Sequence, residues 1–247
     1  MPTPATREEG RAISVLSSMA TRAVLAELTS VYALASGTRV VLESVGGVDA
    51  TKRVAAGEQF DLVVLARDAI DKLSRTRHLM ARSEVDLLHS PVAVAVRAGA
   101  PCPSIASEEA LKRAVLEATT IGYSTGPSGV QVAQLFARWG IEETIRERIV
   151  TPPPGTAVAT LLARGEVALG FQQLSELLHV EGVALLGTLP APLQMVTTFS
   201  GAVATRAVHP EEALALLAFL ASEDTADTKR RQGMEPAGGD GAQAEIG

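Results

Sequence analysis

The 247-residue chain is poor in cysteine and in aromatic residues, and both shortages narrow the chemistry open to it. Its single cysteine, Cys102, lies between two prolines, which excludes an intramolecular disulfide and a cysteine-based zinc cluster and gives no support to a catalytic thiol. Aromatic residues make up 3% of the chain, so few side chains are available to stack against bases or sugars. Small ligands are therefore favoured.

Clusters of basic residues and long apolar runs are also missing. The net charge is −6, and the basic run at 229–231 is three residues long, so we expect no nucleic-acid partner. No apolar run approaches the roughly 18 residues of a membrane span, and the polar start resembles no signal peptide. We therefore expect no stable membrane contact and a cytoplasmic location, or a periplasmic one if the start is trimmed.

The histidines His78, His89, His179 and His209 are scattered without the spacing of metal ligands. The sequence therefore predicts no metal site, and no motif in it indicates a cofactor.

The chain alternates short β-branched runs with amphipathic segments, which is typical of an α/β protein. Strands are predicted at 12–17, 39–45, 61–66, 120–124 and 166–172, and helices at 21–36, 49–57, 108–118, 129–140, 155–165 and 210–222. The apolar runs 90–99 and 193–204 are predicted to cross between two lobes. Lobe one then contains 1–92 and 197–236, lobe two contains 93–196, and 237–247 has the composition of a disordered tail.

Loops at 16–21, 44–51 and 123–131 each join a predicted strand to a helix through small or hydroxyl residues. Ligands of parallel sheets lie beyond the carboxyl ends of the strands, and helix N-termini attract anions. The loops therefore indicate an anion-binding site. For each loop taken alone, helix capping by residues such as Ser18, Thr21 or Asp49 is an alternative explanation.

Two amides, Gln172 and Gln173, lie at the end of the predicted strand at 166–172; either one of them faces the site or both lie on the solvent side. Arg22 and Arg67 are candidate partners for a ligand carboxylate, although an arginine is more often a solvated surface residue.

The segments RVAAGEQFDLVVLARDAIDKL (53–73), TIGYSTGPSGVQVAQLFARWGI (120–141) and LLARGEVALGFQQLSEL (161–177) resemble the class II solute-binding proteins related to the molybdate-binding component of ABC transporters. The resemblance covers roughly residues 12–236. It implies a two-lobed fold of the periplasmic-binding-protein type, each lobe a mainly parallel sheet flanked by helices, with a small anionic ligand in the cleft between the lobes.

Two departures from that family change the expected ligand. The stretch VGGVDA, at 45–50, lacks the serines that molybdate binders place there, and Phe171 or Gln172 replaces a tyrosine. A carboxylate suits such a loop better than molybdate does. The resemblance extends to aconitate isomerase, an enzyme built on this scaffold, and implies a cofactor-independent allylic proton shift.

The site residues follow from these loops and the resemblance. Asp49 and Ser18 are predicted to be catalytic, with Asp49 as the base. The predicted substrate-binding residues are Ser17, Ser18, Met19, Thr21, Gly46, Gly47, Ser124, Thr125, Ser128 and Gln172. The alternatives are an oxyanion-binding component that docks on an ABC permease, and a cytoplasmic anion sensor.

Overall fold

The computed structural model describes residues 12–153 and 155–238, in two compact units. Within these residues, unit 1 contains 12–87, 200–228 and 236–238, and unit 2 contains 88–199 and 229–235. The chain thus changes units at 87/88 and 199/200, where the sequence predicts changes at 92/93 and 196/197. Residues 229–235 group with unit 2 and not with lobe one. The predicted tail lies, except for Ala237 and Gly238, outside the described residues.

The helices and strands predicted from the sequence are present, with bounds that differ by a few residues. From the start to residue 138 they are β1 (Ala12–Ser18), α1 (Arg22–Ser36), β2 (Arg39–Val45), α2 (Gly47–Ala55), β3 (Leu62–Ala66), α3 (Arg67–Arg75), β4 (Val85–Arg97), α4 (Glu108–Glu117), β5 (Ile121–Tyr123) and α5 (Pro127–Arg138). They continue with α6 (Glu142–Ile145), β6 (Ile149–Val150), α7 (Val158–Arg164), β7 (Leu169–Gln173), α8 (Leu174–Leu177), β8 (Val183–Thr188), β9 (Val196–Val203), α9 (Pro210–Ala221), α10 (Ala226–Arg231) and β10 (Glu235–Pro236).

Unit 1 is built on strands in the order β2-β1-β3-β9. Strand β1 pairs in parallel with both β2 and β3, with Ser17 opposite Ser44 on β2 and Leu16 opposite Val63 on β3. This confirms the βαβ prediction for the first part of the chain. Apolar side chains of the strands pack with those of α2 and α3 into a core; its members include Leu16, Val54, Val63, Leu65, Ile70, Leu73 and Ala202.

Unit 2 is built on strands in the order β4-β7-β5-β6, with β8 also pairing with β4. Strand β5 is parallel to β6 and β7, whereas β4 is antiparallel to β7 and β8. The sheet of this unit is therefore mixed, because the long β4 runs against its neighbours. Its core surrounds Phe136, whose ring lies 5.6 Å from Phe171 and 5.9 Å from Tyr123 between centroids.

Helix ends follow the local sequence. Gly37 closes α1 in the left-handed region, with φ of 73°, and its N–H donates to the carbonyl of Ala33. Helix α1 then returns the chain to β2, so that the carboxyl ends of β1 and β2 meet at the same edge of the sheet. Among the described residues, none of the helices has the length and apolar character needed to cross a bilayer.

Candidate functional site

The first group of predicted site residues lies where β1 ends. Ser17, Ser18 and Thr21 are buried, and Met19 is partly buried. Ser17 Oγ lies 2.8 Å from Ser44 Oγ on β2, and Thr21 Oγ1 donates to the Ser18 carbonyl over 3.0 Å. Neither Ser18 nor Thr21 caps a backbone N–H of the turn or helix that follows it, so the capping alternative is wrong for this loop.

The second group lies at the start of α2, beside the first. Gly46 occupies the N-cap position, and Asp49 lies in the first turn with its side chain 57% exposed and 4.0 Å from Lys52 Nζ. A Cβ added at Gly47 would stand 3.9 Å from Ser18 Cβ, and one at Gly46 would stand 3.6 Å from Asp49 Oδ2. Both are ordinary contacts, so neither packing nor backbone conformation requires this glycine pair. Without side chains at Gly46 and Gly47, the backbone at the start of α2 is accessible to a ligand.

The third group lies where β5 ends and α5 begins, in unit 2. Ser124 Oγ is 3.0 Å from Ser128 Oγ; Ser128 is buried, whereas Thr125 is exposed. A Cβ at Gly129 would stand 1.5 Å from the Ser124 carbonyl oxygen, so this position requires glycine for the loop to lie against α5. Gly126 is the N-cap residue, and no side chain caps α5.

These loops share an arrangement that suits an anion. In α2 and α5 the first-turn N–H groups carry the positive end of the helix dipole and receive no side-chain cap. Hydroxyl groups stand beside both of these starts. Such loops can donate several hydrogen bonds to a carboxylate or another oxyanion.

The predicted residues separate by unit. Unit 1 brings together Ser17, Ser18, Met19, Thr21, Gly46, Gly47 and Asp49. Unit 2 places Ser124, Thr125 and Ser128 at the end of β5, and Gln172 on the neighbouring β7, where Tyr123 pairs with Phe171. Their roles as ligand or catalytic residues stay predictions.

Gln172 has a structural contact that its sequence position did not indicate. Its side chain is buried, its Oε1 accepts from the Ala159 N–H over 3.1 Å, and its Nε2 donates to Glu176 Oε1 over 2.8 Å. The backbone bond fixes the direction of the amide, so the N–H points at the carboxylate. Gln172 therefore holds Glu176.

Glu176 is a functional candidate that the sequence analysis missed. Burial raises the pKa of the Glu176 carboxyl to about 7, and the hydrogen bond from Gln172 lowers it by less. A carboxyl with a pKa near neutrality can both take and return a proton at neutral pH. The available signal was a glutamate in the largely apolar stretch LSELL, at 174–178.

Arg67, a candidate for pairing with a ligand carboxylate, is occupied within unit 1. Its Nε donates to Asp71 over 2.9 Å, and one terminal nitrogen donates to Asp86 over 2.5 Å. Arg22 is exposed at the first position of α1. No group of three or more metal-ligating side chains occurs within the described ranges.

Comparison with known proteins gives consistent matches along nearly the whole chain. Residues 13–235 match the model of the bacterial extracellular solute-binding protein family. The aconitate isomerase of a Pseudomonas species is 35% identical over 232 residues, which cover 91% of this chain and 87% of that enzyme.

Solved structures show the same fold at low sequence identity. The periplasmic molybdate-binding protein of Azotobacter vinelandii is 16% identical, with a TM-score of 0.77 over 90% of this chain and 98% of that one. The sulfate-binding protein SubI of Mycobacterium tuberculosis is also 16% identical, with a TM-score of 0.74 over 92% and 87%. The predicted fold, of the periplasmic-binding-protein type, is thereby confirmed.

Proposed function

Because this chain belongs to the family of bacterial extracellular solute-binding proteins, we propose that it binds a small unsaturated polycarboxylate and isomerises it by moving the double bond. The observation that supports this most directly is the 35% identity to an aconitate isomerase over 91% of the chain. The proposed substrate class is a di- or tricarboxylate with a C=C bond next to an acidic CH.

The loops at the strand ends fit such a substrate. Both α2 and α5 begin without a side-chain cap, and the glycine pair Gly46 and Gly47 leaves the backbone beside Ser18 accessible. A polycarboxylate presents several oxyanions, each of which can accept hydrogen bonds from backbone N–H groups and hydroxyls. These donors would also stabilise the negative charge that develops on a carboxylate when an adjacent C–H bond is broken.

The reaction needs a base and an acid but no redox change. A base removes a proton from the CH₂ group, and the electron pair of that C–H bond forms the new C=C bond. The electron pair of the old C=C bond then takes a proton at its far carbon, so atoms and charge balance. One group that accepts the first proton and returns the second is sufficient.

Glu176 and Asp49 are the two carboxyl groups we propose for this role. Glu176 has the better matched pKa, about 7, and a fixed partner in Gln172. Asp49 lies in the first turn of α2, next to the glycine pair, and is largely exposed. The substitutions Glu176→Gln and Asp49→Asn separate them, because each removes the proton-accepting group and keeps the size of the side chain.

The test is to incubate the purified chain with cis-aconitate and with trans-aconitate and to follow each isomer by proton NMR in D₂O. We expect conversion in both directions and deuterium at the exchanged carbon. Loss of turnover by about 100-fold or more in one of the two variants, with binding retained, would identify the base. Stabilisation of the wild-type chain by either isomer without conversion would refute the isomerase.

A second candidate is the binding component of an ABC transporter, which the family match favours. This function requires binding without chemistry and docking on a membrane permease. It predicts thermal stabilisation by an anion, such as aconitate, citrate, molybdate or sulfate, and no isomerisation. A ligand at 100 times its Kd adds about 2.7 kcal/mol of stability, so the anion that binds can be recognised by the rise in melting temperature that it causes.

A further inference from the structure

We propose that Ser90, Gln173 and Thr197 form a subsite in unit 2 that hydrogen-bonds one oxygen of the bound carboxylate, an inference that rests on the proposed function. These residues lie on three neighbouring strands, β4, β7 and β9. The sequence predicts neither Ser90 nor Thr197 as a site residue, and for Gln173 it leaves open whether the side chain faces the site. The subsite would hydrogen-bond the substrate through side chains, whereas the loops described above would do so largely through backbone N–H groups.

Strand register brings the three side chains together. Val92 N–H donates to the Met195 carbonyl over 2.9 Å, and His89 Nδ1 lies 3.1 Å from Thr198 Oγ1. The residue number falls on β4 as it rises on β9, so the strands are antiparallel and Ser90 lies opposite Thr197.

Gln173 reaches the same place from the other side of β4. It pairs with Val92, which shares a face of β4 with Ser90, and its Nε2 donates to Thr197 Oγ1 over 2.7 Å. The amide therefore extends across β4, from β7 to β9, beside Ser90. Diagonal neighbours in a sheet are about 7–8 Å apart, within reach of a side chain as long as glutamine.

Unpaired polar atoms at this place indicate a missing partner. Ser90 is 0% exposed and Gln173 is 3% exposed, yet Ser90 Oγ and Gln173 Oε1 have no hydrogen-bond partner. Leaving a buried polar atom unpaired costs about 1–3 kcal/mol, and native proteins rarely do so without a reason. Thr197, 9% exposed, is the member of the group closest to solvent.

The donors present match an oxyanion. Rotation of the Gln173 amide by half a turn lets its Oε1 accept from the Thr197 hydroxyl and directs Nε2 into the subsite. Ser90 O–H and Gln173 Nε2–H are then both available to one carboxylate oxygen, and every polar atom of the group is paired. Gln173 is the last residue of β7, so the subsite lies at the carboxyl end of that strand.

The experiment is calorimetric titration of wild-type, Ser90→Ala and Thr197→Val proteins with propane-1,2,3-tricarboxylate, the saturated analogue of aconitate, which cannot be turned over. The unfolding of each protein in urea is measured in parallel. Thr225→Val is the matched control, because Thr225 is also buried but lies in unit 1 with its hydroxyl bonded to the Ser222 carbonyl.

We expect Ser90→Ala to raise Kd by about tenfold to 100-fold, the effect of removing a hydrogen bond to a charged group. Thr197→Val should also raise Kd, because it removes the hydroxyl that orients the Gln173 amide. Ser90→Ala should not lower the urea midpoint, because its hydroxyl is unpaired without ligand. The control should lose stability and keep its Kd. A Kd within twofold of wild type in Ser90→Ala, together with a lower midpoint, would overturn the subsite and indicate a buried water.

The two proposals fail in different ways. If the wild-type chain binds neither the analogue nor trans-aconitate, the proposed function is refuted and the subsite loses its ligand with it. If the wild-type chain binds and converts aconitate while Ser90→Ala and Thr197→Val do so equally well, only the subsite is refuted.

Discussion

Helices α4 and α5, both in unit 2, begin in opposite ways. The first turn of α4 is closed by its own sequence, since Ser107 Oγ accepts from the Ala110 N–H over 3.2 Å and donates to Glu109 Oε2 over 2.9 Å. Helix α5 begins at Gly126 and Pro127 without a side-chain cap. Unit 1 repeats the second pattern at α2.

The two helix starts differ in whether a side chain of the same loop pairs with their free N–H groups. A side-chain cap satisfies one of the four N-terminal donors of its helix, so that donor is not available to a ligand. An uncapped helix, beside hydroxyls and glycines, keeps its donors for a ligand. Two carboxylates differ in a related way: Asp61 accepts hydrogen bonds from four donors, whereas Glu176 accepts one from Gln172 and burial raises its pKa.

Asp61 is a buried carboxylate of unit 1 that is paired with four donors, and of these substitutions its removal should have the largest effect on stability. It accepts from Ser14 N and Oγ over 2.8 and 2.7 Å, and from the N–H groups of Val208 and His209 over 2.7 and 2.9 Å. Asp61→Ala leaves these partly buried donors without their acceptor and should lower the free energy of unfolding by about 4 kcal/mol in urea denaturation. Asp68→Ala, at an exposed position, is the control.

The pH dependence of stability tests the same carboxylate. Burial raises the pKa of Asp61, but the hydrogen bonds from Ser14, His209 and Val208 together lower it by a larger amount, so the net shift is downward. A lowered folded-state pKa gives stability that is present above the unfolded value near 4 and is lost as the pH falls through the folded value. Wild type should therefore lose more stability than Asp61→Asn below about pH 4; equal losses would contradict this.

Glu176 should behave in the opposite sense, because its pKa is raised. The folded state keeps the proton that the unfolded state releases, so stability falls as the pH rises from about 4 to about 7. Glu176→Gln should therefore gain about 3 kcal/mol over wild type at pH 8 and nothing at pH 4, measured by urea unfolding. The matched control is Glu117→Gln, on an exposed face of α4. A pH-independent effect of Glu176→Gln would refute the assignment.

Gly129 tests whether the loop before α5 is built by close backbone contact. Gly129→Ala places a methyl group against the Ser124 carbonyl oxygen, where 1.5 Å is available, and should cost about 2–3 kcal/mol of unfolding free energy. Gly126→Ala meets only Ser124 Oγ, at 3.9 Å, and serves as the matched control. Equal stability of the two variants would show that the loop relaxes freely.

The N-cap of α4, Ser107, shows how much stability a side-chain cap contributes, and Ser18 is compared with it. Ser107→Ala removes the bond to Ala110 N–H and should cost about 1 kcal/mol in thermal or urea unfolding. Ser18→Ala removes no cap bond, so we expect a smaller loss of stability together with weaker binding of aconitate. A larger loss in Ser18→Ala would show that its hydroxyl serves the fold instead.

The fold was accessible from the sequence because its signals are local. Apolar runs such as 61–66 and the glycine after 36 predict strand and helix ends without knowledge of the partners. Glu176 and Ser90 were not accessible in the same way. The raised pKa of Glu176 depends on burial, and the grouping of Ser90 with Gln173 depends on register between strands far apart in sequence.

Gly47 gives the smallest expected change in stability and the sharpest test of the open helix start in unit 1. A Cβ there meets Ser18 Cβ at 3.9 Å, and alanine is a better helix residue than glycine, so Gly47→Ala should keep or raise the unfolding free energy by at most about 0.5 kcal/mol. The added methyl group narrows the space between the α2 start and Ser18. If a carboxylate sits there, the Kd for aconitate must rise while the fold is intact, and Gly126→Ala makes the equivalent comparison at α5. An unchanged Kd in Gly47→Ala would mean that the glycine pair serves no ligand, and the contrast between capped and uncapped helices would then lose its functional meaning in unit 1.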